Sequence, residues 1–261
     1  MRRHPANLKN MSKIKSKLRA GQPTVGSWMQ LSSPSVAEIM GCAGYDWVAV
    51  DLEHGSFALD TLPDIFRALE LGGTAPFARI GENSCKEIKQ AIEAGARGII
   101  IPMVECRQDA EQAVAWANYP PAGIRGVGYS RANLFGRRFK EHLAAINDEL
   151  LVAIQIESIT AIRSLDEILA VRGVDALMIG PYDLSASMGI TGQFEDPAYI
   201  AALELARQKA SEHKIPMGLH IVQPDPALLK TKIAEGYQFI AYGIDAVFLN
   251  NFAINPLTEK L

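Results

Sequence analysis

Three observations predict a (β/α)8 barrel, the TIM-barrel fold. Eight short apolar stretches of strand character alternate with amphipathic stretches at helical spacing, which is the pattern of a parallel α/β protein. The chain has 261 residues, the usual length for one such barrel. Polar residues gather where the predicted strands end, and barrels of this kind keep their chemistry at the C-terminal ends of the strands. No linker divides the sequence, so we expect one domain over residues 1–261.

The first half of the chain supplies four strand and helix pairs. A basic, polar lead-in over 1–11, which we expect to be flexible, precedes a helix predicted at 12–20. The strands are predicted at 24–31, 46–52, 75–80 and 96–103. The helices that follow them are predicted at 36–42, 59–71, 85–94 and 108–117. The run ARGIIIPM is apolar almost throughout, as expected of a strand buried on both faces.

The second half opens with a long segment over 119–136, YPPAGIRGVGYSRANLFG, which is rich in Gly and Pro. Loops of this length in compact domains are usually functional or disordered. The remaining strands are predicted at 151–157, 174–180, 215–220 and 237–243. The remaining helices are predicted at 139–146, 159–170, 197–213, 226–234 and from 245 onward. Together these elements complete eight strands that alternate with helices.

Two carboxylates follow neighbouring predicted strands, Glu157 at the end of the fifth and Asp183 just past the sixth. Neighbouring strands lie about 4.8 Å apart, so the two side chains can share one hard cation. Gln155 and Glu157 share one face of the fifth strand, and a packed sheet face does not normally carry such residues. We expect Gly180 and Pro181 to clear space beside Asp183. The alternative is that both carboxylates are ordinary strand-end residues, but their pairing across one βαβ unit favours a metal site.

Candidate catalytic residues follow the second and third strands. His54 is the natural proton shuttle because imidazole titrates nearest neutral pH, and Asp51, in the same turn, could orient its ring. Arg79 ends an apolar strand, and its fixed guanidinium geometry suits a substrate carboxylate. The alternatives are a packed or solvated His54 and a salt bridge of Arg79 inside the barrel. Trp28 and His220 end the first and seventh strands, where simple packing is again the alternative.

Composition argues against several other classes. The 26 basic and 29 acidic residues give a net charge of −3, which disfavours a nucleic-acid surface. The three cysteines are scattered and form no CxxC, so neither a disulfide framework nor a zinc cluster is indicated. No apolar run approaches a membrane span and the start lacks a signal-peptide core, so we expect a cytoplasmic protein without membrane partners. No Lys ends a predicted strand, which disfavours a Schiff-base aldolase.

Six segments, in order and at consistent spacing, resemble the HpcH/HpaI class II pyruvate aldolases over nearly the full chain. This family is typified by 4-hydroxy-2-oxoheptanedioate aldolase and by the 2-dehydro-3-deoxy-sugar-acid aldolases. The matching segments are GSWMQL, YDWVAVDLEHG, FARI, YPPAGIRGVG, VAIQIES and VDALMIGPYDLSASMG. The resemblance implies a barrel of the phosphoenolpyruvate/pyruvate-binding type. It also implies metal-dependent cleavage or formation of 4-hydroxy-2-oxo acids, with pyruvate and an aldehyde as the partners.

The resemblance assigns roles to individual residues. A divalent cation, Mg, Mn or Co, would be held by Glu157 and Asp183. His54 and Asp51 would form the acid/base pair, and Arg79 would bind the pyruvate unit. The resemblance implies substrate contacts for Trp28, Arg79 and Gln155, and we expect Gly180, Pro181 and Tyr182 to line the same pocket. The family also implies a homo-oligomer, typically a hexamer built as a trimer of dimers, with the final helix exchanged between subunits.

Two residues depart from the family pattern and put the aldehyde partner in doubt. Tyr182 stands where many members have a small residue, and His220 stands where an aliphatic residue is usual.

Two other functions stay open. A CoA-ester lyase of the citrate lyase β or malyl-CoA type shares the barrel and the acidic metal pair. It needs a basic groove for the CoA phosphates, and the residues that could form one are Arg125, Arg131, Arg137 and Arg138. A non-catalytic barrel that binds a metabolite would leave gaps among the polar strand ends, and the sequence shows none.

Overall fold

Eight parallel strands pair in chain order, and the last strand pairs with the first to close a barrel. The structure is a computed structural model that describes residues 14–255 and 257. The strands are β1 Thr24–Met29, β2 Trp47–Asp51, β3 Ala75–Arg79, β4 Gly98–Ile101, β5 Leu151–Ile156, β6 Ala176–Ile179, β7 Met217–Ile221 and β8 Phe239–Ile244. The predicted TIM-barrel fold is confirmed. The predicted lead-in at 1–11 lies outside the described residues.

Helices cover the outside of the barrel and join successive strands. They are α1 Ile14–Arg19, α2 Pro34–Cys42, α3 Leu62–Gly72, α4 Cys85–Ala94, α5 Arg107–Ala117, α6 Phe139–Glu149, α7 Ile159–Arg163, α8 Leu165–Leu169, α9 Pro181–Ser187, α10 Pro197–His213, α11 Pro226–Ala234 and α12 Asp245–Phe252. The long segment 119–136 contains one 3₁₀ turn, at Arg131–Asn133. Within the described residues, no helix is long and apolar enough to cross a membrane.

One helical prediction was wrong in detail, and one helix was not predicted. The single helix expected at 159–170 is divided into α7 and α8 at Ser164. The Ser164 hydroxyl donates to the Thr160 carbonyl at 3.1 Å, a local side-chain bond that competes with continuous helix. The sequence also gave no warning of α9, a short helix that begins at Pro181 and carries Asp183 in its first turn.

Three aromatic rings fill the inside of the barrel. The Trp47 ring lies 5.4 Å from Phe77 and 4.5 Å from Phe239 between centroids, and all three residues are buried. Gly26 makes the arrangement possible, because a Cβ there would lie 2.1 Å from the Trp47 ring. The interior is therefore a packed core, and the polar strand ends stand above it at the C-terminal mouth.

Helix α1 contributes a buried ion pair at the opposite, N-terminal end. The Lys15 ammonium lies 2.9 Å from the Asp175 carboxylate and donates to the Leu150 carbonyl at 2.9 Å. Asp175 also accepts the Val152 backbone N–H at 3.0 Å. The pair thus ties α1 to the start of β5 and to the segment that leads into β6.

A buried carboxylate joins the first and last parts of the barrel. Asp245, the first residue of α12, accepts the backbone N–H groups of Gln30 and Leu31 at 2.8 and 3.0 Å. These two residues directly follow β1, and Asp245 directly follows β8. Asp245 therefore fastens the seam where the barrel closes.

Candidate active site

A buried ion pair joins the ends of β2 and β3. Asp51 and Arg79 are direct partners in the register of these strands. Arg79 Nε and Nη2 donate to the two oxygens of Asp51 at 3.0 and 2.7 Å. Both residues are buried. Burial raises the pKa of Asp51, but the hydrogen bonds and charge of Arg79 outweigh it and lower that pKa below its usual value.

Two further groups hold Arg79 in place. Its Nη1 lies 3.0 Å from Glu53 Oε2, and its Cζ lies 4.7 Å from the centre of the Trp28 ring. A guanidinium has five N–H donors, and Asp51 takes two of them. The salt bridge named as the alternative for Arg79 is thus present, but donors remain for a substrate carboxylate.

Asp51 reaches His54 through the backbone. Its Oδ1 accepts the backbone N–H groups of His54 and Glu53 at 3.1 and 3.2 Å. The expected contact to the His54 ring is not the one observed, because Arg79 also occupies this carboxylate. His54 itself is exposed at the mouth. Asp51 therefore shapes the turn that carries the imidazole and leaves the ring free to meet a substrate.

Glu157 stands just past β5 and is buried. Its Oε2 accepts the backbone N–H of Met103 at 2.9 Å, and its Oε1 accepts the side-chain amide of Gln155 at 2.5 Å. A Cβ on Gly180 would lie 2.6 Å from Oε1 and 2.7 Å from Cγ of Glu157. Gly180 therefore clears space for Glu157, and the expected space beside Asp183 stays a prediction. Pro181 begins α9.

The mouth holds more negative than positive charge. Burial, together with the charges of Glu53 and Asp183, raises the pKa of Glu157 to about 7. Burial also raises the pKa of Glu53, with added repulsion from Asp51 and Asp183. Asp183 is exposed. These carboxylates repel one another, and protonation of Glu157 is one way to relieve the repulsion.

This donor set fits a hard divalent cation. Carboxylate oxygens are the ligands that Mg²⁺ prefers, and the buried Oε1 of Gln155 lacks a hydrogen-bond partner. Among residues 14–255 and 257, no group of three or more His, Cys, Asp or Glu side chains is arranged to hold an ion. That Glu157 and Asp183 would supply two ligands, with most of the coordination shell left for water and substrate, stays a prediction.

Aromatic side chains form one wall of the mouth. The Trp28 ring is 5.4 Å from the His220 ring, and Trp28 is buried. His220 Nε2–H donates to the Gly243 carbonyl at 3.2 Å, and burial lowers the pKa of His220 to about 3. His220 is thus neutral near pH 7. Tyr182 is 54% exposed and packs edge-on against Phe194 with 5.1 Å between ring centroids.

Three groups at the site were missing from the predicted set. Glu53 contacts Arg79, and the Gln30 side chain donates to Asp51 at 3.0 Å. Both stand among the polar residues at the ends of the predicted strands, but no role was predicted for either. The third is the backbone N–H of Met103. A backbone N–H is present in every residue except Pro, so residue type does not indicate that it acts at a site.

Two arginines proposed for a CoA-binding groove are engaged elsewhere. Arg125 is 2% exposed, and its Cζ lies 3.7 Å from the centre of the Tyr119 ring. Arg131 pairs with Glu70 and donates to the Ala94 carbonyl at 3.0 Å. Neither guanidinium is presented for phosphate binding in this arrangement.

Similar proteins provide an independent comparison. The chain is 37% identical over 249 residues to the hydroxypyruvate/pyruvate aldolase of Sagittula stellata, which covers 95% of this chain and 97% of that protein. It is 37% identical over 235 residues to the 5-keto-4-deoxy-D-glucarate aldolase of Shigella dysenteriae, covering 90% and 91% of the two chains. A solved structure of an HpcH/HpaI aldolase/citrate lyase family protein from Burkholderia cenocepacia superposes with a TM-score of 0.87. That pair is 31% identical, and the alignment covers 93% of this chain and 96% of the other.

The match to the family extends across almost the whole barrel. Residues 24–251 match the family described as HpcH/HpaI aldolase/citrate lyase. That range runs from the start of β1 into α12 and contains every site residue named above. As the six matching segments predicted, the chain belongs to the HpcH/HpaI aldolase/citrate lyase family.

Proposed function

We propose that this protein is a divalent-metal-dependent aldolase that cleaves or forms 4-hydroxy-2-oxo acids, with pyruvate and an aldehyde as partners. The family and the two relatives named as aldolases confirm the prediction of a carbon–carbon lyase. The observation that carries the metal-dependent chemistry is the buried, electrostatically strained Glu157 among the acidic residues of the mouth, with Arg79 close by.

The metal site in this proposal consists of Glu157 and Asp183. Glu157 follows β5, Asp183 lies in the first turn of the helix after the neighbouring strand β6, and the charge of Asp183 raises the pKa of Glu157. A cation between them would relieve that repulsion. When bound, Mg²⁺, Mn²⁺ or Co²⁺ supplies a Lewis acid for the keto oxygen of the substrate. The choice among these ions rests on the resemblance to the family.

Arg79 binds the carboxylate of the 2-oxo acid. Its remaining N–H donors can make charge-assisted hydrogen bonds of the bidentate kind. Asp51 and Glu53 hold the guanidinium on two sides, and the Trp28 ring supports its face. Because these contacts already exist without substrate, Arg79 loses little freedom when it binds.

His54 handles the proton of the substrate hydroxyl. In cleavage, the bond between C3 and C4 breaks, and its electron pair stays with the pyruvate fragment. The 4-hydroxyl becomes the aldehyde carbonyl and gives its proton to the imidazole of His54. In the reverse reaction His54 returns that proton to the new alkoxide. Its exposed position at the mouth suits contact with the outer part of the substrate.

A comparison of two carboxylates, one at each end of the barrel, tests the metal-dependent function. Glu157→Gln should abolish Mn²⁺ binding and lower pyruvate release from a 4-hydroxy-2-oxo acid by roughly 10³-fold, since a Lewis acid contributes several kcal/mol. Asp175→Asn, at the other end of the barrel, should leave Mn²⁺ binding unchanged. Chelation of the wild type should abolish activity, and an added divalent cation should restore it. Full activity after exhaustive chelation would refute the proposal.

The two alternative functions have less support. A CoA-ester lyase would need phosphate contacts that Arg125 and Arg131 do not offer. A non-catalytic barrel would not require the set of acidic, basic and imidazole groups at the mouth. Turnover of a CoA ester, or failure to act on any 4-hydroxy-2-oxo acid with Mg²⁺, Mn²⁺ and Co²⁺, would favour one of them.

We also propose a homo-oligomer, on the basis of apolar residues at the end of the chain. Leu249 and Phe252 of α12 are 59% and 86% exposed, and Ile254 and Leu257 beyond it are 42% and 92% exposed. Exposed apolar surface of this kind marks interaction sites, and a hexamer of three dimers is the expected state. A monomer mass in solution scattering would contradict this.

The cytoplasmic location stays a prediction.

A further inference from the structure

Met103 has a backbone conformation that its side chain does not favour. Its φ is +52°, in the left-handed region that residues with a Cβ rarely adopt. It lies in the short connection between β4 and α5. Its side chain is 53% exposed, so burial of that side chain does not explain the conformation.

The neighbours of Met103 hold the conformation in place. Pro102 before it and Val104 after it are both buried. Further along, the Asp109 carboxylate accepts the backbone N–H groups of Glu105 and Cys106 at 3.0 and 3.1 Å. An unfavourable residue conformation persists only when its surroundings determine it in this way, and such residues cluster at functional sites.

The backbone N–H of Met103 points at the active site. It donates to Glu157 Oε2 at 2.9 Å, while Gln155 donates to Oε1. The absence of a Cβ at Gly180 leaves room for the same carboxylate. Two hydrogen bonds thus hold Glu157, and the one from Met103 depends on the direction of one peptide group.

Other left-handed residues lack such a contact. Among the described residues, the remaining positive-φ positions that are not Gly are Leu134, Phe135 and Lys214. Leu134 and Phe135 lie in the 119–136 segment, and their N–H groups donate to Arg131 and Ser130 carbonyls. Lys214 ends α10, as left-handed residues often do. In that comparison, only Met103 directs its N–H to a residue of the candidate site.

We propose that Met103 is a positioning residue, whose left-handed backbone aims the N–H that orients Glu157 for a divalent cation. The inference rests on the proposed metal-dependent function and adds a residue to it. The backbone N–H makes the contact with Glu157. The side chain at position 103 matters only because it determines whether a positive φ is tolerated.

Mn²⁺ binding to metal-depleted protein, measured by calorimetry, tests the proposal without an activity assay. Met103→Gly and Met103→Asn both tolerate positive φ and keep the N–H, so their affinity for Mn²⁺ should match the wild type within about threefold. Met103→Val is strongly disfavoured at positive φ. It should bind Mn²⁺ roughly tenfold to a hundredfold more weakly, the usual effect of losing a partner of a metal ligand.

Leu134→Val is the matched control. It places the same residue at a φ of +53°, outside the candidate site, and should leave Mn²⁺ affinity unchanged. Circular dichroism and thermal unfolding establish that each variant is folded. If Met103→Val does not fold, Met103→Thr carries the same expectation, because it is also β-branched.

The outcomes separate this inference from the proposed function. Wild-type protein that binds no Mn²⁺ would overturn both. Wild-type binding with unchanged affinity in Met103→Val would overturn the positioning role alone. Equal loss in the Gly and Val variants would assign the effect to the methionine side chain and would likewise overturn it.

Discussion

The two ends of the barrel both bury charged side chains but differ in how those charges are balanced. At the N-terminal end, Lys15 pairs with Asp175 and with the Leu150 carbonyl. At the mouth, Arg79 faces both Asp51 and Glu53, and Glu157 lies nearby with a pKa raised to about 7 by burial and by neighbouring carboxylates.

This difference distinguishes residues that stabilise the fold from residues that take part in the chemistry. An ion pair in which each charge has its partner holds elements together. Removing one partner leaves the other charge unpaired. A cluster with excess negative charge instead stores unfavourable energy, which a bound cation can release. Changes at the mouth should therefore alter activity more than stability, and changes at the N-terminal end should do the reverse.

The largest expected effect belongs to His54 at the mouth. His54→Ala should lower kcat by ~10²–10⁴-fold, the usual contribution of a positioned general base. Affinities for pyruvate and Mn²⁺ should change little, because those contacts belong to Arg79, Glu157 and Asp183. His213→Ala, which removes an imidazole on α10, is the control. If pyruvate proton exchange and aldol cleavage both stay within a few-fold of wild type, His54 is not the base.

The second prediction concerns Lys15 at the opposite end. Lys15→Met should lower the free energy of unfolding by about 3 kcal/mol, the lower end for a broken buried pair, because Asp175 is left with only Arg19, 4.0 Å away. The kcat of the folded fraction should not change. The double variant Lys15→Met/Asp175→Leu should recover much of the loss, since it removes both charges. Urea unfolding measures the stability. A large fall in kcat would contradict the expectation that changes at the N-terminal end affect stability and not activity.

Arg79→Lys should have an intermediate effect. Lysine keeps the positive charge but loses the bidentate geometry, and a lost charged hydrogen bond is worth roughly 1.5–3 kcal/mol. The Kd for pyruvate should therefore rise by about tenfold to a hundredfold. Arg67→Lys, at an exposed i,i+3 pair, provides the control. Unchanged pyruvate affinity in Arg79→Lys would remove this residue from the proposed binding site.

The smallest effect is expected from His220, through pH. Burial lowers its pKa from 6.5 to about 3, so the unfolded chain binds the proton more readily. Its contribution to stability is therefore present above pH 6.5 and is lost as pH falls towards 3. Between pH 7 and pH 5 the wild type should lose up to about 2 kcal/mol more than His220→Leu. Urea unfolding at the two pH values measures this, and equal losses would contradict it.

Much of the site was predictable because strand order determines which residues meet at the mouth. Asp51, Arg79 and Glu157 all stand at strand ends, and a closed parallel barrel brings such positions together. The pairing of Asp51 with Arg79 was harder to foresee. It depends on the register between β2 and β3, and residue type alone favoured the imidazole of His54 as the partner.

The other differences between prediction and structure depend on local geometry that residue types do not reveal. The contact of Gly180 with Glu157 was not foreseen, because these two residues lie far apart in sequence and meet only through the pairing of β5 with β6. The N–H of Met103 was invisible for the same reason. The division of one predicted helix into α7 and α8 follows from a single hydroxyl contact of Ser164, which helical periodicity does not register.

Asp245 has a consequence for how the chain is made. Its carboxylate binds the backbone of Gln30, 215 residues earlier, and the Gln30 side chain in turn donates to Asp51. A growing polypeptide must therefore carry an unpaired β1 edge until its last strand leaves the ribosome, and such edges invite aggregation. In pulsed hydrogen exchange during refolding, the Gln30 and Leu31 amides should gain protection late, together with β8.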